Sequence, residues 1–361
     1  MKKNPIGPLI GLPIGPLAGP PIGQAAAILL LLAVAGWQSA CGRAVPGRSE
    51  FVLGTFCSVD LYGGGGRRLY DRIFSRVREI EGTMSANRAG TELDRINGNA
   101  GITPVRVGGD LFEVLERARH YAEISGGAFD PTVGPLVRLW GIGTDRERVP
   151  SEEEIAGALT LVDWRDLALD REGGTAFLRR EGMALDLGAI AKGYAADEAA
   201  RIARQGGAKR AVMDMGGNIL ALGARRGNRP WRIGIQDPRE GRGAYVGVLL
   251  VRDKSVVTSG VYERFFEEGG RRYHHILSTA DGYPVRGGLL SVTIIADRSV
   301  DADGLSTAVF ALGYERGRAL VESIPDAEAI FIFEDLGVRL TAGARRDFTL
   351  EDGEYRLEDA P

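Results

Sequence analysis

Apolar residues in "RRLYDRIFSRVREIEGTMS" fall at Leu69, Ile73, Phe74, Val77 and Ile80, the spacing of a helix that buries one face. "DLFEVLERARHYAEISGG" repeats that pattern, with Asp110 as the expected cap and Gly126 and Gly127 as the stop. "EFVLGTFCSVDLYG" alternates instead, which predicts a strand ending in the glycine turn at residues 63–66. "MALDLG" is expected as a short strand, left by "AIAKGYAADEAARIARQGG" as a small-residue helix. "RAVMDMGGNILALG", "PWRIGIQDP", "AYVGVLLVRDKSVVTSG" and "RYHHIL" predict strands of one antiparallel region. "LSVTIIA" is a further strand leading into "SVDADGLSTAVFALG", a helix with an acidic start and either Ser299 or Asp301 as its cap. "AEAIFIFEDLGVRLTAG" closes the chain as a hairpin around residues 335–337. Helices and strands mix without regular β-α-β alternation. The expected class is α+β, one compact domain of mixed, mainly antiparallel sheet with packed helices.

The first fifty residues carry a different pattern. Residues 1–24 are a Pro/Gly-rich run that opens with two lysines, followed by thirteen apolar residues, "AAAILLLLAVAGW", and then "QSACG". A basic start, a short apolar core and small residues before a cysteine describe a secretory signal. The apolar run falls short of the roughly 20 residues that span a bilayer. Ser39 and Ala40 before Cys41 resemble a lipoprotein processing site, although Gln38 stands where leucine is preferred. An uncleaved signal anchor and simple secretion are the other readings. The domain organisation expected is a signal peptide over 1–41 ending at a lipobox-like Cys41, a tether over 42–50 and a folded domain over 51–361. The expected location is the cell envelope, as a membrane-anchored lipoprotein facing the periplasm or exterior.

Composition narrows the chemistry. A net charge of −3 over 361 residues gives no basic surface for nucleic acid. Three histidines make a zinc site of several imidazoles a poor expectation, and two cysteines give no disulfide framework. Neither G-x-x-x-x-G-K-[ST] nor a strand-to-helix G-x-G-x-x-G occurs.

Four segments hold candidate chemistry, each with a plain structural alternative. In "ALDLGAIAKGYAADEA", Asp186 precedes a Gly turn and a helix start, and Lys192 adds positive charge, suitable surroundings for a phosphate. A tight connection with a solvated lysine fits the same residues. In "SGGAFDPTVGPLVRLWGIG", Asp130 is held extended before proline, and Trp140 is either a cover for a planar ligand or core. "RYHHIL" offers His274 and His275, on opposite faces of a strand, as proton acceptors. In "SVDADGLSTAVFALG", Asp303 and Thr307 lie one helical turn apart and supply two hard oxygens, too few for magnesium without a carbonyl, such as that of Ala189, and a pyrophosphate. Ordinary helix capping is the alternative there, and Asp301 is expected to cap in either case.

Seven blocks in order resemble the ApbE family of magnesium-dependent FAD:protein FMN transferases: "LGTFCSVDLYG", "TMSANRAGTELDRIN", "GGAFDPTVGPLVRLWGIG", "LDLGAIAKGYAADEAA", "MDMGGNI", "VVTSGVYERFFEEGGRRYHHI" and "SVTIIADRSVDADGLSTAVFALG". The resemblance implies that FAD, as substrate, lies in a deep pocket with its pyrophosphate on Mg2+. The implied metal ligands are the Ala189 carbonyl, Asp303 and Thr307. The implied FAD contacts are Leu53, Asn87, Ala128, Phe129, Asp130, Asp186 and Lys192, with Ser259 and Ile276 nearby. His275 is the implied base, acting with Asp303 in catalysis. FMN would pass to a Thr or Ser hydroxyl of an acceptor flavoprotein, such as a periplasm-facing subunit of a redox-driven ion pump, with AMP leaving. Water in place of the hydroxyl would hydrolyse FAD to FMN and AMP, and storage of FAD without turnover is the alternative function. Two places depart from the family pattern. Asn87 stands where many relatives have an aromatic residue, which implies looser FAD and faster turnover, and Ser278 and Thr279 replace Asp and Pro in a loop bordering the pocket.

Overall fold

The computed structural model describes residues 47–241 and 243–358. The chain divides into a unit Met1–Ala44, outside the described residues, and a unit Val45–Pro361. The signal peptide and Cys41 therefore lie outside the described residues. Among those described, no helix is long and apolar enough to cross a membrane.

A nine-stranded sheet forms the frame. Its strands in chain order are β1 (Arg48–Val52), β2 (Thr55–Leu61), β6 (Ala211–Met215), β7 (Asn218–Leu222), β10 (Lys254–Gly260), β13 (Leu289–Ala296), β14 (Glu328–Phe333), β15 (Gly337–Leu340) and β17 (Arg356–Leu357). They lie side by side in that same order, antiparallel except for the last pair. Both faces are covered, and neighbouring residues in a strand go to opposite cores. Val257, Ile294, Ala329 and Phe331 belong to one buried cluster, and Val256, Ile295, Ile330 and Ile332 to the other. That double burial is why β13 and β14 are mainly apolar, with buried Ser291 and Thr293 as the exceptions in β13.

Helices α1 (Arg67–Met84), α6 (Ala191–Gln205) and α7 (Ser299–Leu312) cover the first face. A small sheet of β8 (Trp231–Gln236), β9 (Tyr245–Val251) and β16 (Phe348–Leu350) covers the second. Another small sheet joins β3 (Val105–Arg106), β4 (Leu167–Asp170) and β5 (Thr175–Leu178), with β5 in the middle. Helix α2 (Glu92–Gly98) packs on β5, and α4 (Gly134–Trp140) on α5 (Glu152–Leu159). The class is thus mixed α and β with mainly antiparallel sheets, as the pattern predicts. The expected single antiparallel region is instead divided. β6, β7 and β10 join the large sheet, β8 and β9 a small one, and β12 (Arg271–His274) pairs only with β11 (Phe265–Glu268).

Three local expectations change. "EFVLGTFCSVDLYG" is a hairpin, not one strand, and its sheet begins at Arg48, inside the segment read as a tether. Its two-residue turn, Leu53 and Gly54, has φ of 58° and 68°, the left-handed geometry that matches strand twist. "MALDLG" forms no strand; an isolated bridge pairs Ala184 with Val133, because Pro131 and Asp186 run alongside each other there. Asp110 is not a cap: it lies inside α3 (Gly109–Ile124), where it pairs with Arg76 and accepts from the Tyr194 hydroxyl.

Contact between α6 and α7 sets the rest. Gly193, Ala196 and Ala200 give α6 a small-residue face, and a Cβ on Gly193 would lie 2.3 Å from the Ser299 carbonyl oxygen. Neither Ser299 nor Asp301 caps α7. The Asp197 carboxylate, from α6, accepts the N–H groups of Ser299 at 2.8 Å and Val300 at 3.1 Å, while Asp301 pairs with Arg117. A carboxylate from another helix satisfies the same orphan donors as a local cap. Replacing Gly193 by alanine is expected to cost about 1–3 kcal/mol, as overpacking does. Gly157, in α5, has nothing within 4 Å of its Cβ position, so Gly157→Ala should be neutral or stabilising; urea midpoints of the two variants test the difference.

Candidate functional site

The α6–α7 contact places a carboxylate beside a chain turn. Asp303 is buried, with 3% of its surface exposed. Its Oδ2 accepts the Gly193 N–H at 2.9 Å, and its Oδ1 lies 3.4 Å from the Lys192 ammonium. Lys192 also donates to the Gly188 carbonyl at 2.9 Å. Because the Gly193 N–H goes across to α7, it does not close a turn back onto Ala189, and that carbonyl has no backbone partner among the described residues. One hydrogen bond thereby orients the carboxylate, and the Ala189 carbonyl, in the turn before α6, is left without a backbone partner.

Thr307 follows one turn up α7, half-buried, with its hydroxyl 3.3 Å from the Ser259 hydroxyl. Ser259 is fixed more firmly by Ser306, at 2.9 Å, which itself donates to the Asp303 carbonyl. Carboxylate, hydroxyl and carbonyl are the hard oxygens a magnesium ion takes. The Lys192 ammonium, lying between Gly188 and Asp303, is a cation already seated among them. The residues fit a divalent ion that completes its shell with water and phosphate. Among the described residues no group of three or more His, Cys, Asp and Glu could hold a metal ion alone.

Asp186 and the 126–130 loop adjoin this cluster through the backbone. The Asp186 carboxylate accepts the Gly188 N–H at 2.8 Å, and its own N–H donates to the Pro131 carbonyl at 2.8 Å. Asp130 is buried and acts as a brace: one oxygen accepts the Thr132 N–H and hydroxyl, the other the Trp164 N–H at 2.9 Å. Burial nevertheless raises its pKa. Phe129 is buried against Tyr121, which leaves the half-buried Ala128 to face outward. Trp140 is fully buried and gives its indole N–H to the Gly282 carbonyl at 2.8 Å; it is core, not a cover for a planar ligand.

The two histidines separate. His274 is buried edge-on against Phe310, with Nε2 2.9 Å from the Val285 carbonyl and Nδ1 accepting the Ile276 N–H, so both nitrogens are in structural use. His275, just past the end of β12, has Nδ1 3.3 Å from the Arg264 carbonyl. That contact favours the tautomer with a proton on Nδ1 and a lone pair on Nε2. Burial pushes the His275 imidazole down to about 3, and the positive charges of Arg264 and Lys192 lower it further. Ile276 is buried behind it.

Leu53 and Asn87 form another rim, joined to the Asp303 cluster by no direct hydrogen bond. The Leu53 N–H donates to Glu81 at 2.8 Å, Glu81 also binds Arg88, and Asn87 is exposed between them. Buried Cys57 lies between the two groups: burial pushes its thiol up to about 12, and Asp214, Lys192 and Glu81 all act on it. The altered loop keeps its shape. The Ser278 hydroxyl accepts the N–H groups of Ala280 and Asp281, and Thr279 donates to the Gly127 carbonyl at 2.7 Å.

Several working residues escape the sequence reading: Asp197, Gly193, Glu81, Ser306 and Trp164. Asp197 sits four residues after Gly193, and a carboxylate on an alanine face is the one local signal for it. The Trp164 indole N–H is buried without a partner beside Gly127, an orphan donor that a bound ligand would satisfy. A groove of about 780 Å3 runs along Phe112, Glu113 and His120, away from the Asp303 cluster, and one of about 400 Å3 runs along Arg271, His274 and Leu290.

This site, a hard-oxygen cluster at the start of a helix, has the chemistry to hold a phosphoanhydride together with a divalent ion. The model of the ApbE family matches residues 53–331, and the chain belongs to that family. The FAD:protein FMN transferase of Treponema pallidum (strain Nichols) is 42% identical over 329 residues, 86% of this chain and 91% of its own. That of Klebsiella pneumoniae (strain 342) is 38% identical, covering 86% and 96%. The crystal structure of the ApbE protein from Thermotoga maritima superposes with a TM-score of 0.77 at 33% identity, covering 84% of this chain and 98% of that one. Flavin transferase ApbE from Vibrio cholerae gives 0.72 at 28% identity, covering 85% and 96%.

A pH effect follows from the histidines, both of which are lowered by burial. Between the unfolded value near 6.5 and the folded value near 3, the unfolded chain binds a proton that folded His275 does not, so stability falls as pH falls through that window. Between pH 7 and 4.5 the parent chain is expected to lose about 1–2 kcal/mol more than His275→Gln, read from urea unfolding at each pH.

Proposed function

We propose that this chain is an FAD:protein FMN transferase that works with a magnesium ion held by Asp303, Thr307 and the Ala189 carbonyl. Supporting this most directly is the Gly193 N–H bond to Asp303, which aims the carboxylate and vacates the carbonyl at once. A bound magnesium ion would neutralise the pyrophosphate and make AMP a better leaving group. Lys192 is poised to exchange Asp303 for a phosphate oxygen of FAD, adding a second positive charge there. The Trp164 indole N–H, buried without a partner, supplies a donor. Nε2 of His275 takes the proton of the acceptor's Thr or Ser hydroxyl. That oxygen attacks the phosphorus on the riboflavin side, the bond to the bridging oxygen breaks, and AMP departs with that oxygen. The product is FMN on the acceptor through a phosphoester.

The same pocket admits water when no acceptor is bound, and exposed Asn87 favours this second reading. A polar side chain there offers no ring to stack on the flavin nucleotide, so FAD is held less firmly and turns over. For location, the N-terminal pattern supports export and lipid attachment at Cys41, with acceptors such as periplasm-facing subunits of redox-driven ion pumps.

Mass spectrometry of a threonine-bearing acceptor after incubation with FAD, Mg2+ and this chain should show one added FMN. Asp303→Ala should lower transfer by about 10²–10³-fold, and a chelator should do the same. A protein that binds FAD but yields neither modified acceptor nor AMP would be a storage protein instead. Asn87→Phe should tighten FAD binding, worth about 0.5–1.5 kcal/mol, and slow acceptor-free AMP release; unchanged affinity in a titration of flavin fluorescence would contradict the stacking argument.

A further inference from the structure

The hairpin that opens the described domain exposes two large apolar side chains. Phe51 is 68% and Phe56 65% exposed, the most open aromatic residues of the described domain. They are register partners on β1 and β2, with ring centroids 5.3 Å apart and planes at 77°, so they form one knob. The next register pair on that sheet face is Ser49 and Ser58, with Asp214 opposite Ser58 on β6 and Asp60 two residues further along β2. Val52 and Cys57, on the other face, are buried in the core. The small sheet that covers this side of the frame is built from β8, β9 and β16, and it does not extend over the pair.

What the pair fits is indicated by where the chain comes from. Six residues, 42–47, separate Cys41 from β1. Fully extended, they reach about 20 Å. Phe51 is three residues further along β1, about 10 Å. A chain held by a lipid at Cys41 therefore cannot carry this hairpin far from the headgroups. Of the carboxylates near the tether, Glu50 and Asp71 are paired, Arg48 with both and Arg78 with Glu50, while Asp60 packs against Gly47. We propose that Phe51 and Phe56 dock the domain on the bilayer that holds its lipid, lying at the headgroup–acyl boundary. An acyl anchor joined to a second apolar contact is how stable, oriented membrane attachment is reached. The turn between the two phenylalanines holds Leu53, so docking fixes the Leu53 rim of the flavin site at the membrane surface, where membrane-borne acceptors present their hydroxyls. This proposal rests on the reading of Cys41 as lipidated.

The test uses the full chain, purified with its lipid and reconstituted in vesicles of phosphatidylethanolamine and phosphatidylglycerol. Phe51→Trp adds a fluorophore whose signal is taken as the difference from the parent chain. Lipids brominated high on the acyl chain should quench that added emission about twofold, and aqueous iodide should quench it little. The anchor is checked separately: the parent chain should fractionate with membranes and Cys41→Ser should not. An anchored Phe51→Trp chain whose added emission responds to iodide and not to brominated lipid overturns the docking while leaving the anchor intact; a parent chain found only in the soluble fraction overturns both. Phe51→Ser combined with Phe56→Ser should leave acceptor-free AMP release and the KM for a soluble acceptor unchanged. A rise in that KM, without lipid quenching, would make the pair a protein interface and overturn the proposal.

Discussion

The structure turns on the hydrogen bond from the Gly193 N–H to the Asp303 carboxylate. It crosses from one helix to another and requires that the two backbones nearly touch, which only glycine at 193 permits. A buried carboxylate would ordinarily be costly. Here it receives a backbone donor and the Lys192 ammonium. The Asp197 carboxylate completes the clamp by holding the first N–H groups of α7. The position of the Asp303 carboxylate is therefore a consequence of helix packing.

Around that clamp, the fold separates rigid and adjustable parts. Asp303 and Ser306 are buried on α7, a helix apolar on nearly every side and enclosed by α6 and the sheet. Lys192, Thr307, Ser259 and His275 are half-exposed and have room for a substrate phosphate and a nucleophile. The 276–284 loop is tied to the 126–130 loop by Thr279 and to α4 by Trp140. Glu81 separately joins the Leu53–Gly54 turn to Arg88, the neighbour of Asn87. A transferase of this kind must hold a dinucleotide and also admit a macromolecule, and two separately braced rims meet both needs.

Residue pattern alone carries the class and most elements. Double burial wrote β13 and β14 as mainly apolar runs, one-sided burial wrote α1 as a stripe, and glycines marked the turns. It also placed Asp303 and Thr307 on one helical face, since a spacing of four fixes that geometry without tertiary information. Seven ordered blocks carried the family, because motifs that are each ambiguous become specific in combination. Packing decides what local pattern leaves open. "MALDLG" has strand composition, but its partner across the gap is a loop, so no ladder forms. The cap of α7 comes from Asp197, about a hundred positions earlier, and no local rule reads a contact of that range. Adjacent His274 and His275 are alike as sequence; only the surrounding carbonyls distinguish a histidine with both nitrogens engaged from one with a lone pair to offer. Spacing along a chain fixes directions within an element, whereas which groups meet depends on packing between elements, and the candidate chemistry lies at such a meeting.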